Sequence, residues 1–428
     1  MSERIDFHPK VAEQIRKRVN FQCSVPRCKN AAVGPATDST DASVNLGTAC
    51  HIFSAAPNGP RGQGGKTEEW IGSVENGIWC CKSHGDRIDK RKGKEFPPET
   101  LLAWKALAEA RVRVQMNGET SPLGWIDTIE LEAGEIYRDP IKLELQKTNI
   151  LLGDEGSGKS LLFEMAACAS DSAHGRRLQS VAAKTALPLK TTGSIKYSTA
   201  DKLDVELRFE FSKDSTIRTQ DGKVLLAPPS DISVVYFEAD RRLKEAHEDD
   251  FEYFRRVLQI DPSSLSSMSE VVGQNDGFAA GRHAFIEAAN DDEDDSQGSH
   301  ARGRGRKLEL VSVFAGASGS VVFEDLSRSQ KTRLFIQFFI QKARNTSRQC
   351  PTLLLLDLSG TNLDEHNFSK LLNILESEAF QTIVIPPNVR IADVESSEAP
   401  LPEKPAPIEL SSWAVQRICS IKRARMRI

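Results

Sequence analysis

Gly153-Asp154-Glu155-Gly156-Ser157-Gly158-Lys159-Ser160 is the stretch that decides the fold of this 428-residue chain. It has the form G-x4-G-K-S, follows the short apolar run 148–152 and precedes residues 161–168, which we expect to continue as a helix. Glycines at these positions let backbone N–H groups close around phosphates, and the helix N-terminus adds its positive dipole end. The stretch therefore predicts a nucleotide-binding α/β domain in which Gly153, Gly156, Ser157 and Gly158 cradle the phosphates, Lys159 reaches the outer ones and Ser160 binds Mg²⁺.

Three later motifs complete this prediction. Leu353-Leu354-Leu355-Leu356-Asp357 has the form of a Walker B strand, whose Asp357 completes the Mg²⁺ shell. Leu326-Ser327-Arg328-Ser329-Gln330 and Gly360-Thr361-Asn362-Leu363-Asp364 resemble the signature motif and the D-loop of the ABC family. The resemblance implies an ABC- or SMC-like head over residues 124–428 with a mixed sheet and an antiparallel β subdomain. It also implies that Ser327 and Gln330 contact ATP held by another subunit, so that heads dimerise.

The chain departs from the ABC pattern at two positions. That family places a catalytic Glu directly after the Walker B Asp, and here the residue is Leu358. It places a switch His after the next strand, where this chain has Pro386-Pro387-Asn388. We therefore expect ATP binding with slow hydrolysis, although Glu365 or His366 could substitute. Glu238 is the best candidate for the Q-loop position.

A second cluster of chemistry lies before residue 90. Five of the eight cysteines are in the first fifth of the chain, which in a reducing compartment favours metal binding over disulfides. Cys23-x4-Cys28 and Cys81-x2-His84 have the spacing of two ligand pairs for one tetrahedral structural Zn²⁺. The remaining cysteines, Cys80, Cys168, Cys350 and Cys419, are expected to be small buried residues.

The segments between the two pairs resemble HNH (ββα-metal) nucleases. The resemblance rests on Ala49-Cys50-His51-Ile52, Gly59-Pro60-Arg61, Glu75-Asn76-Gly77-Ile78 and the run from Cys81 to Asp89. It implies that His51 is the general base that deprotonates water and that Asn76 orients it. In that family the last His of the motif holds the catalytic ion, and here Gly85 stands at its position.

Alternatives at the metal module follow from this departure. Either His84 serves the catalytic ion and zinc loses a ligand, or Asp86 or Asp89 compensates, or the module is impaired. We favour His84 on zinc. Cys50, where the family has an acid before the base, is a second departure. A zinc-stabilised docking module without catalysis is the competing interpretation.

Composition sets the remaining expectations. The chain is 39% hydrophobic and 27% charged, as is usual for a folded soluble protein. It shows no apolar run long enough for a membrane span and no signal-peptide core in residues 1–20, so a cytoplasmic location is predicted. Residues 1–120 carry a net charge of +4 and the rest −8, which places local phosphate-binding charge in the first part.

The predicted organisation is an HNH-like zinc domain at 1–116, a linker at 117–123 and the head at 124–428, with a disordered acidic and Arg/Gly loop at 290–306. We expect helices over 8–19 and about 99–115, and antiparallel strands at 126–131 and 141–146. Further strands are expected at 194–197, 204–211 and 232–237. Buried strands of the α/β sheet are predicted at 310–314, 353–357 and 382–385.

Together the two modules resemble the Septu-like antiphage systems, in which an ATPase and an HNH nuclease act together. The leading hypothesis is an ATP-regulated, metal-dependent endonuclease of bacterial defence, requiring ATP, Mg²⁺ and Zn²⁺. Its expected partners are nucleic acid, DNA rather than RNA, a second copy of the chain through the heads, and a second defence-system protein. The alternative is a non-cleaving, ATP-dependent nucleic-acid clamp or nucleotide sensor whose zinc module docks DNA or a partner effector.

Overall fold

The computed structural model describes ten stretches of the chain. They are residues 4–28, 30–118, 120–133, 140–183, 191–238, 244–274, 277–288, 307–316, 319–389 and 413–418. The predicted loop at 290–306 and Cys419 lie outside these residues. No helix in the described stretches is long and apolar enough to cross a membrane.

The N-terminal module is a small fold built around one hairpin. Its elements in chain order are α1 (Pro9–Arg18), β1 (Val33–Pro35), β2 (Ser43–Asn45), β3 (Gly47–His51), α2 (Glu68–Ile71), β4 (Gly77–Cys81), α3 (Lys82–Ile88) and α4 (Pro98–Asn117). Strands β3 and β4 pair antiparallel, with His51 opposite Gly77. Helix α3 follows β4 directly, and it packs on both strands. The predicted helices correspond to α1 and α4, and α4 ends at Gly118, whose positive φ of 67° closes the last turn.

The head contains the remaining elements. They are β5 (Gly124–Ala133), β6 (Ile141–Glu144), β7 (Thr148–Gly153), α5 (Lys159–Ala167), α6 (Arg176–Ala183), β8 (Thr191–Thr199), β9 (Val205–Phe211), β10 (Thr216–Gln220), β11 (Lys223–Leu225), β12 (Ser233–Glu238), α7 (Asp250–Leu258), α8 (Pro262–Gln274), β13 (Arg282–Glu287), β14 (Leu308–Val313), β15 (Ser320–Val322), α9 (Arg328–Ser347), β16 (Thr352–Asp357), α10 (Glu365–Glu376), β17 (Gln381–Ile385) and β18 (Ala414–Ile418).

A parallel sheet in the order β12-β16-β17-β7-β18 forms the centre of the head. Its inner strands β16 and β17 are buried along their whole length and β7 along most of its length, because both faces of the sheet are covered. Leucines and phenylalanines of α9 and α10 cover one face and α5 covers the other, so that two hydrophobic cores flank the sheet. Since parallel strands expose their carboxyl ends at one edge, the ends of β7 and β16 meet there.

The antiparallel strands form sheets of their own, in agreement with the predicted antiparallel β subdomain, whereas the central sheet is wholly parallel and not mixed as we predicted. Six strands in the order β11-β10-β9-β8-β5-β6 make one sheet, which includes the pair expected from 126–131 and 141–146. The prediction that 310–314 belongs to the α/β sheet was wrong. That segment is β14, which pairs antiparallel with β13 and β15 in a separate three-stranded sheet. A short apolar run fits either environment, because it carries no information about its partners.

The N-terminal module is packed against the head through buried contacts. Trp104 of α4 meets Trp125 of β5 edge to face, with ring centroids 5.7 Å apart, and Trp125 belongs to the hydrophobic cluster of the module. The Lys147 backbone N–H donates to Thr100 Oγ1 at 3.2 Å. The two parts therefore share an interface of core character rather than a loose tether.

Candidate functional site

The phosphate-binding loop connects β7 to α5 at the carboxyl edge of the parallel sheet. Gly156 and Gly158 have φ of 76° and 94°, a left-handed conformation that glycine adopts without steric cost. At Gly153 a Cβ atom would lie 2.7 Å from the Ile418 carbonyl oxygen and 2.8 Å from Ser157 Oγ, so no side chain fits. The loop therefore has the backbone shape that its sequence predicted, and it lines a cleft of about 880 Å³.

Polar groups for a nucleotide and its metal ion already converge at this loop. Ser160 Oγ, in the first turn of α5, donates to Asp357 Oδ2 at the end of β16, and the two atoms are 2.6 Å apart. Lys159 Nζ lies against the Gly153 and Asp154 carbonyl oxygens, at 2.5 and 2.8 Å, and burial lowers its pKa. A hydroxyl and a carboxylate in contact are the protein ligands that Mg²⁺ uses beside nucleotide phosphates. The residues therefore fit ATP with Mg²⁺.

The groups expected to support hydrolysis are arranged differently. Leu358 is completely buried in the hydrophobic core beside the sheet, and its N–H donates to the Ile385 carbonyl. Pro386, Pro387 and Asn388 line the cleft where the ABC pattern has a His. The Q-loop candidate Glu238 lies directly opposite Asp357 in the strand register. Residue 358, where the ABC pattern has its catalytic carboxylate, thus lies in the hydrophobic core and does not line the nucleotide cleft.

The proposed signature segment begins helix α9. Ser327 is its N-cap, and Ser327 Oγ accepts from the Gln330 N–H at 3.3 Å while Gln330 Oε1 accepts from the Ser327 N–H at 2.9 Å. This capping box fixes the first turn of a 20-residue helix. Ser327 is exposed. The contact of Ser327 with ATP held by another subunit stays a prediction. An exposed residue at a helix N-terminus is accessible to a phosphate group.

The structure brings the four predicted zinc ligands together. The ligand atoms of Cys23, Cys28, Cys81 and His84 all lie within 4.8 Å of one another. His84 Nδ1 is 3.5 Å from Cys23 Sγ and 3.2 Å from Cys81 Sγ. A tetrahedral zinc with ordinary bond lengths places sulfur and nitrogen about 3.6 Å apart. The donor set and its spacing therefore fit one Zn²⁺, held by three thiolates and an imidazole nitrogen.

The charge around the quartet also suits a cation. Hydrogen bonding to Cys80 and to His84 lowers the pKa of Cys23 to about 3, whereas burial raises the pKa of Cys28 to about 12. Thiol groups packed this closely do not all ionise together, because the thiolates repel one another. A bound divalent ion offsets this repulsion. Arg111 of α4 is buried nearby with Nη1 unpartnered among the described residues, and it interacts electrostatically with Cys23 and Cys28. Its positive charge offsets the third thiolate.

His51, the predicted general base, is the last residue of β3. Its ring is stacked against Phe7, with centroids 3.7 Å apart and planes 4° apart. Burial, followed by the nearby charge of Arg4, lowers the pKa of His51. The imidazole is therefore neutral at pH 7, as a base must be. Its Nε2 atom is buried and has no hydrogen-bond partner within the described part of the chain.

Asn76 is fully buried and holds the loop that follows His51. Its Oδ1 accepts from the Phe53 N–H at 2.7 Å, while Nδ2 donates to the Phe53 and Ile71 carbonyls at 2.9 Å each. Arg61 has a related role, since it donates to the His51 carbonyl at 2.9 Å and to Asp89 at 2.6 Å. Asn76 therefore positions the backbone around His51 and does not touch its ring in these contacts.

A second ion site beside His51 is not assembled by the candidate ligands. Gly85 is buried, and a Cβ there would lie 2.6 Å from Thr48 Cγ2 and 3.1 Å from Cys50 Sγ. Asp89 is engaged by Arg61, and Asp86 is exposed. Among the described residues, the zinc quartet is the one group of three or more His, Cys, Asp or Glu side chains close enough to share an ion.

The sequence patterns did not single out three residues that the structure places at these sites. Phe7 covers His51, Arg111 approaches the thiolates, and Arg177 of α6 lines the nucleotide cleft while pairing with Glu164 at 3.0 Å. None belongs to a spaced motif. A buried Arg on an otherwise apolar helix face, as at Arg111, is the single hint that the sequence offers.

No protein-family model and no curated protein matches the chain. Among solved structures it is similar to an Smc head bound to the C-winged helix domain of ScpA, at 15% identity and a TM-score of 0.40, over 62% of this chain and 90% of that one. The SMC head domain from Thermotoga maritima gives 13% identity and a TM-score of 0.34, over 61% and 89%. The recombination mediator RecF with ATP gives 12% identity and a TM-score of 0.44, over 65% and 95%. These structural neighbours are SMC- and RecF-type heads, and identities this low do not transfer a function.

Proposed function

We propose that this protein is a nucleotide-dependent switch that binds ATP with Mg²⁺, hydrolyses it slowly and acts on nucleic acid through its docked zinc module. The observation that carries the proposal is the 2.6 Å contact between Ser160 Oγ and Asp357 Oδ2 beside the shaped phosphate loop. Leu358, buried in the core, supports the slow turnover. Two ATP-bound heads would clamp together, with Ser327 at the edge of the partner's nucleotide.

Binding and turnover of ATP test this proposal directly. Lys159→Ala removes the cation that faces the outer phosphates, and we expect it to abolish ATP binding in calorimetry while leaving the zinc content unchanged. Lys213→Ala, an exposed lysine in the turn between β9 and β10, is the matched control. Wild-type turnover on the order of 10 s⁻¹, an ordinary enzyme rate, would refute the slow switch.

Dimerisation is the second measurable consequence. We expect light scattering after gel filtration to show a monomer without nucleotide and a dimer with ATP. Ser327→Arg should keep ATP binding and prevent the dimer, because the side chain is exposed at the N-terminus of α9. A wild type that stays monomeric with saturating ATP would exclude the clamp.

Metal-dependent nucleic-acid cleavage at His51 is a second candidate function. It is favoured by the order of β3, β4 and α3, which is that of a ββα unit, and by a neutral His51 with an unpartnered Nε2. It lacks a second ion cluster among the described residues, which is why we place it behind the non-cleaving switch. In this candidate His51 takes a proton from water, and Asn76 holds the loop that positions it.

Plasmid nicking with Mg²⁺ or Mn²⁺, with and without ATP, distinguishes the two candidates. If His51 is the base, His51→Ala should lower cleavage by about 10²–10⁴-fold, with zinc content and ATP binding unchanged. The exposed His247→Ala serves as the control. Absence of cutting under every nucleotide condition would leave the non-cleaving switch as the function, and equal cutting by His51→Ala would show that His51 is not the base.

We propose antiphage defence as the setting, because the chain joins an ABC-like head to an HNH-like module. Cells that express the protein should then resist phage infection in plaque assays. Lys159→Ala should remove the protection, and equal plaque counts with and without the wild-type protein would refute this assignment.

A further inference from the structure

A large cleft lies where the N-terminal module meets the head, and it shares no lining residue with the cleft of the phosphate loop. We call it the junction cleft; its volume is about 850 Å³, within the range of small-ligand sites. Its walls come from the zinc loop around Cys28, the segment that follows α3, and the edge strands β6 and β18. Both parts of the protein therefore contribute to one concave surface.

The rim of the junction cleft is positively charged. Its cations are Arg27, Arg87, Arg91, Lys94 and Lys142, and its acids are Glu95, Asp127 and Glu144. Each acid is paired with one arginine, at 3.0 Å for Glu95, 3.2 Å for Asp127 and 3.8 Å for Glu144. Lys94 and Lys142 are exposed and have no acidic partner within the described residues. The cleft therefore presents two ammonium groups without a salt bridge among the described residues, although Glu130 lies opposite Lys142 in the register of β5 and β6.

The floor of the cleft is aromatic. Phe96, Trp104, Trp125 and Trp413 contribute to its lining although each is largely buried. The Arg87 guanidinium lies over the Phe96 ring, 5.4 Å from its centre. Because each of these aromatic residues is only 2–6% exposed, the floor offers a ligand a small apolar contact area rather than an open ring face.

One wall is a basic loop with an unusual backbone. Lys90-Arg91-Lys92-Gly93-Lys94 follows α3, and Arg91, Lys92 and Gly93 have φ of 51°, 59° and 69°. Left-handed conformations are costly for non-glycine residues and persist where the surroundings hold them. Arg61 supplies that support, since its side chain packs against Gly93. Arg61 thus holds this loop in one conformation, which keeps its cationic side chains at the rim of the junction cleft.

We propose that the junction cleft binds a nucleotide, with its phosphate at Lys94 and Lys142 and its base against the aromatic floor. The nucleotide is either free in solution or the terminal nucleotide of a nucleic-acid strand, since both present the same base and phosphate. This site is separate from the ATP site and does not depend on it. Occupancy would bridge the zinc module and the head, because the cations come from both.

Intrinsic tryptophan fluorescence reports on this cleft. Three of the five tryptophans in the chain line it. We use full-length Lys159→Ala protein, in which ATP-site binding is removed, and titrate AMP, a 5′-phosphorylated oligothymidylate and inorganic phosphate in parallel. Saturable quenching by AMP supports the free nucleotide as source, and quenching by the oligonucleotide alone supports a strand end.

Charge reversal provides the decisive comparison. Lys94→Glu with Lys142→Glu should weaken binding about tenfold or more, whereas Lys213→Glu with Lys223→Glu, two exposed lysines of the six-stranded sheet, should change it less than about twofold. All four positions are exposed, so folding is preserved. Equal affinity in both variants, or no quenching by AMP or oligonucleotide up to about 1 mM, would overturn the proposal. Phosphate that binds as tightly as AMP would also overturn it, because the floor would then contribute nothing.

Discussion

The Leu358→Glu variant tests whether a carboxylate at position 358 reaches the nucleotide cleft or is held by the fold in the hydrophobic core. Leu358 occupies the position of the ABC-family Glu, yet it is completely buried in the core. Ser359 and Gly360, and not Leu358, line the nucleotide cleft. Leu358→Glu therefore places a carboxyl group among apolar side chains, where that group cannot orient water at the nucleotide.

The magnitude follows from burial. Losing a fully buried Leu costs about 2–3 kcal/mol, and a buried carboxyl costs several kcal/mol more, whether it stays charged or takes up a proton. The sum is comparable with the roughly 5–15 kcal/mol that stabilise a typical domain. At roughly 2–4 °C per kcal/mol for a domain of this size, we expect the melting temperature to fall by about 10–20 °C.

Differential scanning fluorimetry and an ATPase assay measure the two consequences together. Leu358→Met keeps the volume and should cost less than about 1.5 kcal/mol, so it controls for packing changes alone. We expect Leu358→Glu to melt early and to gain no turnover. A variant that melts within a few degrees of wild type and hydrolyses ATP faster would show that residue 358 faces the cleft, and the structural argument for slow turnover would fail.

Three further predictions concern the zinc quartet, Asp127 of β5 and the surroundings of His51. Protein purified without chelator should contain one zinc per chain by elemental analysis, and Cys28→Ser should lose it and unfold the module; zinc-free wild type would contradict the quartet. Asp127 is buried, and burial raises its pKa to about 7, so the folded state holds a proton that the unfolded state releases between about pH 4 and 7. Stability from this group is thus present at low pH and lost as pH rises through 7, and Asp127→Asn should raise the melting temperature relative to wild type at pH 8 more than at pH 5. Phe7→Ala uncovers His51 and should raise its pKa towards the ordinary value in an NMR titration; an unchanged pKa would show that the Phe7 ring is not what buries it.

The sequence carried enough information for the nucleotide site because that site is local. The residues of the phosphate loop are consecutive, and their glycines require backbone shapes that few other residues adopt. Asp357 is distant along the chain, but it ends a buried parallel strand, and such ends meet at one sheet edge. The 2.6 Å contact between Ser160 and Asp357 is therefore implied by pattern and topology together.

Sheet membership was less accessible, as β14 shows. Its sequence, Leu308–Val313, is apolar enough for the central sheet, yet it pairs with β13 and β15. Pairing partners are chosen by tertiary contacts, here with α7 and the turn at Phe323, and period alone does not encode them. The packing of the two parts was inaccessible for the same reason, since Trp104 and Trp125 are ordinary apolar positions until they meet.

The metal module differs in one respect from the HNH pattern that its sequence resembles. Asn76 and Arg61 are hydrogen-bonded to the backbone around His51, so side chains of the protein hold this loop. At Gly85, by contrast, the space for a side chain is taken by Thr48 and Cys50, so restoring a histidine there would require the hairpin to move. The ion-binding histidine of the HNH pattern therefore has no room at this position, which is the physical reason for ranking a docking role above cleavage.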